Sequence, residues 1–217
     1  MLRITDNGNS EYVIIIRKYH SASEKTAAEE LAAYLKKITD AEIPVKTDDE
    51  KKTDHEIVIG FTNRGGKGKK ELGEEGFTIK TEGKRLFILG SEVRGALYGV
   101  YSFLEKCCGC RFYTDTCERV PKVNMLTVPE IDCTELPGFE YRNVYWFAQG
   151  GEMISAKLKN NGGMGHELTE RVGGGINYIG SFCHTFPDLG ETGNVWDMPC
   201  LSDEAMYQTV LKNVRKR

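Results

Sequence analysis

The stretch from Gly76 to Glu105, GFTIKTEGKRLFILGSEVRGALYGVYSFLE, constrains this chain more than any other. Phe77 and Ile79 alternate with polar neighbours, and Leu86 to Leu89 run on without a break, so two short strands are expected. Thr81, Glu82 and Gly83 between them are hairpin chemistry, because glycine reaches the positive φ that a tight turn requires. Gly90 and Ser91 are then expected to stop the strand and cap a helix whose buried face is Val93, Ala96, Leu97, Val100 and Leu104. Gly95 and Gly99 stand one turn apart on it. Each costs roughly 1 kcal/mol against alanine, so close backbone packing on the sheet is the compensation to look for.

The chain before this stretch supplies the rest of one domain. Tyr12 to Arg17 reads as a buried strand. Ser21 or Ser23 caps a helix, with Glu24 three residues after Ser21 as in a capping box. Ala27, Leu31, Tyr34, Leu35 and Ile38 form its apolar face. Glu42 to Lys46 is an edge piece because it contains Pro44, and Glu56 to Gly60 is the next strand. Met125 to Val128 is a candidate last strand. The expected class is α+β: a two-layer mixed β-sheet with two helices on one face.

Three chemical motifs fail on inspection. Gly60, Gly65, Gly66 and Lys67 follow a strand, but Gly68 stands where a phosphate-binding loop needs Ser or Thr. Cys107 and Cys110 follow the end of a helix, where the dipole opposes a thiolate, and Cys117 alone does not complete a zinc set. His166 with Glu167 and Glu170 lacks the second histidine of a zinc-protease helix. No cofactor and no metal are expected; a thiol-metal protein is the third-ranked class.

Composition bounds the partners. A net charge of −3 leaves no basic surplus for nucleic acid or an anionic membrane. No apolar run approaches the ~20 residues of a membrane span. The first residues lack a signal peptide's apolar core, so the protein is expected in the cytoplasm, or exported with its signal removed. Seven cysteines, two of them adjacent at Cys107 and Cys108, fit reduced thiols better than a disulfide framework.

Pro121, Pro129 and Pro137 punctuate a linker, so we divide the chain into 1–130 and 131–217. Beyond it, Phe139 to Phe147 (FEYRNVYWF) reads as a strand and Glu152 to Lys159 as a short helix. Ile176 to Phe186 reads as a second strand, and Asp203 to Arg217 as a helix opened by Ser202. Strand, helix, strand, helix is how a (β/α)8 barrel begins, and such a barrel needs about 250 residues. An incomplete barrel segment is expected.

The strand pair followed by GALYGVYSFLE resembles the accessory α/β domain preceding the barrel in family 20 glycoside hydrolases, the β-N-acetylhexosaminidases. Similar domains open the family 67 α-glucuronidases and a group of glycoside-hydrolase-like bacterial proteins. PGFEYRNVYW, GGGINYIGSFCHTF and CLSDEAMYQTVLKNVRK resemble barrel elements of that last group, in order. The loop between His184 and Cys200 is shorter than the family's. The resemblance implies a carbohydrate partner and a substrate contact from Arg142, at the end of the first barrel strand. His184 ends the expected second strand, where it can bind a sugar hydroxyl, share a proton or simply cap the loop. Arg142 can alternatively pair with Glu140 or a neighbouring carboxylate. Trp146 can stack on a pyranose or belong to the core, and Asn160 and Asn161 can hold the first barrel loop. Family 20 enzymes carry their acid pair on the fourth barrel strand, so no catalytic residue transfers and the fragment is expected to be inactive. The rest of a barrel is then a partner, and an open sheet edge makes self-association a hazard. The alternative is a complete, non-catalytic carbohydrate-binding or protein-interaction module.

Overall fold

The structure is a computed structural model that describes residues 1–65, 70–163, 166–176, 185–194, 200 and 202–216. Two compact units are present, Met1–Ile176 and Asn177–Arg217.

The first unit contains, in order, β1 (Leu2–Asp6), β2 (Val13–Ile16), α1 (Ala22–Thr39), β3 (Val45–Thr47), β4 (Glu56–Ile59), β5 (Phe77–Glu82) and β6 (Arg85–Gly90). Then come α2 (Gly95–Lys106), β7 (Arg111–Phe112), β8 (Glu118–Arg119), β9 (Met125–Val128), β10 (Asp132–Glu135) and α3 (Glu152–Lys157). The fold is α+β. A six-stranded mixed sheet has the order β10-β5-β6-β4-β2-β3. Strands β3, β2, β4 and β6 run parallel, while β5 and β10 are antiparallel additions.

Side-chain alternation divides the sheet into two faces. Ile14, Ile16, Ile57, Ile59, Ile79 and Ile88 join Leu31, Leu35, Leu97 and Val100 of α1 and α2 in one core, so both helices cover the same face. Val13, Ile15, Val58 and Phe87 form a smaller cluster on the other. Ser21 caps α1 in a full capping box with Glu24, as the sequence suggests. The paired glycines of α2 are explained by contact: a Cβ on Gly99 meets Ile88 Cγ2 at 2.7 Å, and one on Gly95 meets the Gly76 carbonyl at 2.5 Å.

Two expectations are corrected. Ser91 does not cap α2; the helix starts at Gly95 after Arg94, and the Ser91 hydroxyl donates to the Glu74 carbonyl. The Glu74 carbonyl also accepts from the amides of Arg94 and Gly95, so a neighbouring loop closes the helix end in place of a side chain. Residues 139–147 form no strand. The Arg142 carbonyl accepts from the amides of Asn161 and Gly162, and its amide donates to the Asn161 side chain. Local partners thereby replace a ladder, and aromatic β-propensity yields to context.

Most of the second strand expected at Ile176–Phe186 lies outside the described residues; Thr185 and Phe186 open α4 (Thr185–Gly190). The second unit also holds α5 (Glu204–Lys216), tied to α4 by Asn213 Nδ2 donating to the Leu189 carbonyl at 2.9 Å. Among the described residues, no helix is long and apolar enough to cross a membrane.

Candidate functional site

The polar centre of the first unit is Glu75, in the loop before β5. That loop turns at Gly73 (φ +55°), and the Gly76 amide donates back to the Leu72 carbonyl at 2.7 Å. The turn brings a carboxylate only 8% exposed under the N-terminus of α2.

Three side chains converge on it. Arg94 Nε donates to Glu75 Oε1 at 2.8 Å, Arg142 Nη2 to Oε2 at 2.6 Å, and Asn161 Nδ2 to Oε1 at 2.8 Å. Burial pushes the Glu75 carboxyl upward, but hydrogen bonds from Arg142 and Asn161 and the charge of Arg142 outweigh it, leaving the pKa below the usual value. Nearby, burial first and the Glu75 charge second push the Tyr98 phenol up; its hydroxyl donates to the Asn160 carbonyl at 2.9 Å.

Both guanidiniums also hold backbone. Arg94 Nη1 reaches the Gly173 carbonyl at 2.9 Å and Nη2 the Glu74 carboxylate at 2.9 Å. Arg142 Nε donates to the Lys159 carbonyl at 2.8 Å and Nη1 to the Phe139 carbonyl. Lys159 itself is left-handed (φ 58°), a conformation unusual for a side-chain-bearing residue, and its ammonium pairs with Glu105 at 2.8 Å. One carboxylate therefore ties residues 139–142, 159–161 and 173–174 to the sheet-and-helix domain. A cavity of about 250 Å³ opens beside it, lined by Glu75, Tyr98, Glu135, Pro137, Arg142 and Lys159 among others.

Of the residues singled out in sequence, Arg142 belongs to this cluster, together with Asn160 and Asn161. Its carboxylate partner is Glu75 rather than Glu140, whose carbonyl instead accepts from Asn161 Nδ2 at 2.7 Å. Trp146 stands 63% exposed between Tyr145 and Phe147, themselves 51% and 83% exposed. That aromatic run is anchored by Gln149 Nε2 to the Tyr113 carbonyl at 2.6 Å and the Asp115 amide to the Ala148 carbonyl at 3.0 Å. His184 lies outside the described residues. Glu75 and Arg94 escaped the sequence reading because nothing local distinguishes a buried Glu in ELGEEG from its solvated neighbours. The described cysteines form no disulfide, and no group of three or more His, Cys, Asp or Glu that could hold a metal ion is found among the described residues. Burial raises Cys107, Cys108 and Cys110 above the usual thiol range, which disfavours the thiolate.

Residues 4–103, just under half of the chain, match the glycosyl hydrolase family 67 N-terminus. Over those residues the chain is similar to a glycoside-hydrolase N-terminal domain. Solved structures similar to this chain include BtGH115A, a family GH115 4-O-methyl-α-glucuronidase with specificity for decorated arabinogalactans. It is 14% identical, covers 65% of this chain and 19% of its own, and has a TM-score of 0.46. A GH20 β-N-acetylhexosaminidase from Streptomyces coelicolor A3(2) is 17% identical, covering 65% and 24%, with a TM-score of 0.41. A Streptomyces plicatus β-hexosaminidase mutant in complex with GlcNAc is 16% identical, covering 65% and 24%, with a TM-score of 0.39. The chain thus spans about a fifth to a quarter of the length of these structures. No curated protein matches its sequence.

Proposed function

We propose that this chain is the N-terminal portion of a carbohydrate-active, glycoside-hydrolase-like protein. The accessory domain supports a barrel begun by residues 131–217, and the completed barrel binds or hydrolyses a glycan. The observation that carries this reading is the match of residues 4–103 to a glycoside hydrolase N-terminus. Substrate contacts are assigned to Arg142, Trp146 and His184. Trp146 offers an exposed ring for stacking on a sugar. Arg142 lines the cavity beside Glu75. No catalytic carboxylate is assigned within these 217 residues, so the fragment alone is inactive. Adjacent Cys107 and Cys108 and an odd cysteine total support a reducing compartment, the cytoplasm.

A second reading, a stand-alone carbohydrate-binding or protein-interaction module, is favoured by one feature. Residues up to Ile176 form one compact unit with the accessory domain. An assay of aryl glycosides separates the two, run on this chain and on the reading frame extended past Arg217. Turnover by the extended form alone supports the barrel. Sugar binding without turnover by both supports the module, and hydrolysis by the 217-residue chain contradicts both.

A further inference from the structure

The sheet face turned away from the helices carries a groove unconnected with the Glu75 cluster. The β5–β6 register places Lys80 opposite Phe87 and Glu82 opposite Arg85. Strand alternation then sends Lys80, Glu82, Arg85, Phe87 and Leu89 to that outer face. Loops contribute Asp54, Arg64 and Lys84, enclosing about 590 Å³, a volume typical of small-molecule sites.

The groove is built from below by Glu56, whose side chain is 0% exposed. Its Oε1 lies 3.2 Å from Arg64 Nε and its Oε2 3.5 Å from Arg85 Nε, so two guanidiniums share one carboxylate. Arg64 Nε and Glu56 Oε2 are buried without a hydrogen bond among the described residues. Backbone carbonyls fix the far ends of both arginines: Arg64 Nη2 donates to Glu50, and Arg85 Nη2 to Thr53 at 3.1 Å. Lys80 is answered by Glu82 at 3.2 Å, whereas exposed Lys84 has no ion pair among the described residues. Arg64, Lys80, Lys84 and Arg85 face Asp54, Glu82 and the buried Glu56, which leaves one positive charge in excess, at the exposed Lys84, on a chain of net charge −3. Such focused potential attracts anions, and arginines held in place lose little freedom when they bind one. Phe87 and Leu89 add an apolar floor.

We propose that this groove binds a small organic anion. Its phosphate or carboxylate group meets Lys84 and Arg85, with the buried Arg64 adding charge from below, and its ring-bearing body rests on Phe87 and Leu89. Glu56 is a positioning residue that holds the two guanidiniums. The site is independent of the glycan reading above and stands or falls without it.

The test is titration of the 217-residue chain, followed by amide NMR shifts, with phenyl phosphate, benzoate, inorganic phosphate and benzyl alcohol. Saturable shifts confined to Lys80–Leu89 and Arg64 are expected, with a Kd of about 1 mM or tighter for phenyl phosphate or benzoate. Whichever of those two binds more tightly identifies the head group. Inorganic phosphate, which lacks a body for the floor, is expected about tenfold weaker, and benzyl alcohol is expected to show no saturation. Lys84→Glu, at an exposed turn, is expected to weaken binding about fivefold or more without changing the melting temperature, because it reverses one charge at the rim. Lys122→Glu, on an exposed lysine paired with Asp40 elsewhere, is the control and should leave binding unchanged. No saturation at about 10 mM, an unaffected Lys84→Glu variant, or equal loss in Lys122→Glu overturns the proposal.

Discussion

The sheet-and-helix domain and residues 139–176 of the same unit are held by different physics. In the domain, α1 and α2 bury leucines, tyrosines and Val100 against one sheet face, with Leu31, Leu35, Leu97 and Val100 at 0% exposure. Residues 139–147 bury nothing, and their backbone is anchored through Arg142 to Glu75, Lys159 and Asn161. A few apolar residues, Ile154, Ala156, Leu168 and Val172, supplement that polar attachment. Apolar burial is non-directional and tolerates small shifts, whereas a buried carboxylate between two guanidiniums holds one geometry and fails when a partner is lost. The domain should therefore behave as a cooperative core, and the segment as a part latched onto it.

The largest effect should come from the core. Leu97→Ala deletes a fully buried side chain between helix and sheet and is expected to cost about 4 kcal/mol. Denaturant unfolding should then show one transition shifted as a whole; a loss confined to residues 139–176 would erase the distinction between the regions. Next is the latch. Glu75→Ala leaves Arg94 and Arg142 facing each other without their carboxylate and is expected to cost about 3 kcal/mol. A double-mutant cycle with Arg142→Ala should return a coupling of about 2 kcal/mol, and a value near zero would mean the pair is incidental.

A pH titration gives a smaller effect and sharpens the contrast. Glu118 joins β8 to α3: it accepts from Tyr34, from Lys37 at 3.0 Å and from Lys157 at 3.1 Å. Burial raises its carboxyl, but these donors win and bring it down to about 2. A lowered carboxylate contributes its stability above the unfolded pKa and loses it as pH falls through the folded one. Stability should therefore drop between pH about 4.5 and about 2, by about 1 kcal/mol once solvent screening of this partly exposed group is allowed for. Glu118→Gln should remove that part of the acid sensitivity, as read by denaturant midpoints across the pH series. The smallest change in stability belongs to Trp146→Ala, under about 0.5 kcal/mol because the ring is largely exposed. The same variant should lose sugar binding, measured by calorimetry; retained binding would remove Trp146 from the proposed site.

Much of the domain was legible in sequence because its signals are local. The capping box at Ser21, the hairpin glycine at Gly83 (φ +59°) and the apolar stripe of α2 each act within a few residues. Gly95 and Gly99 even announced the close approach of helix and sheet before the partner atoms were known. Ser91 misled because the cap of α2 comes from the Glu74 carbonyl, a loop neighbour in space. Residues 139–147 misled because aromatic density signals a strand only where a ladder partner exists, and here Asn161 and Gly162 take the backbone instead. Of the candidate site, Arg142 was visible through resemblance and Asn161 as a residue able to hold the first barrel loop. Glu75 was invisible: its role arises only when residues 67 and 86 positions further on, Arg142 and Asn161, fold back onto it.

The most direct test of the latch is amide hydrogen exchange on the wild-type chain and Glu75→Ala under identical native conditions. The account predicts that amides of Arg142, Asn161, Gly162 and Ile176 lose protection while β4, β6 and α1 keep theirs. Equal loss across the sheet, or no change at those four amides, would contradict it.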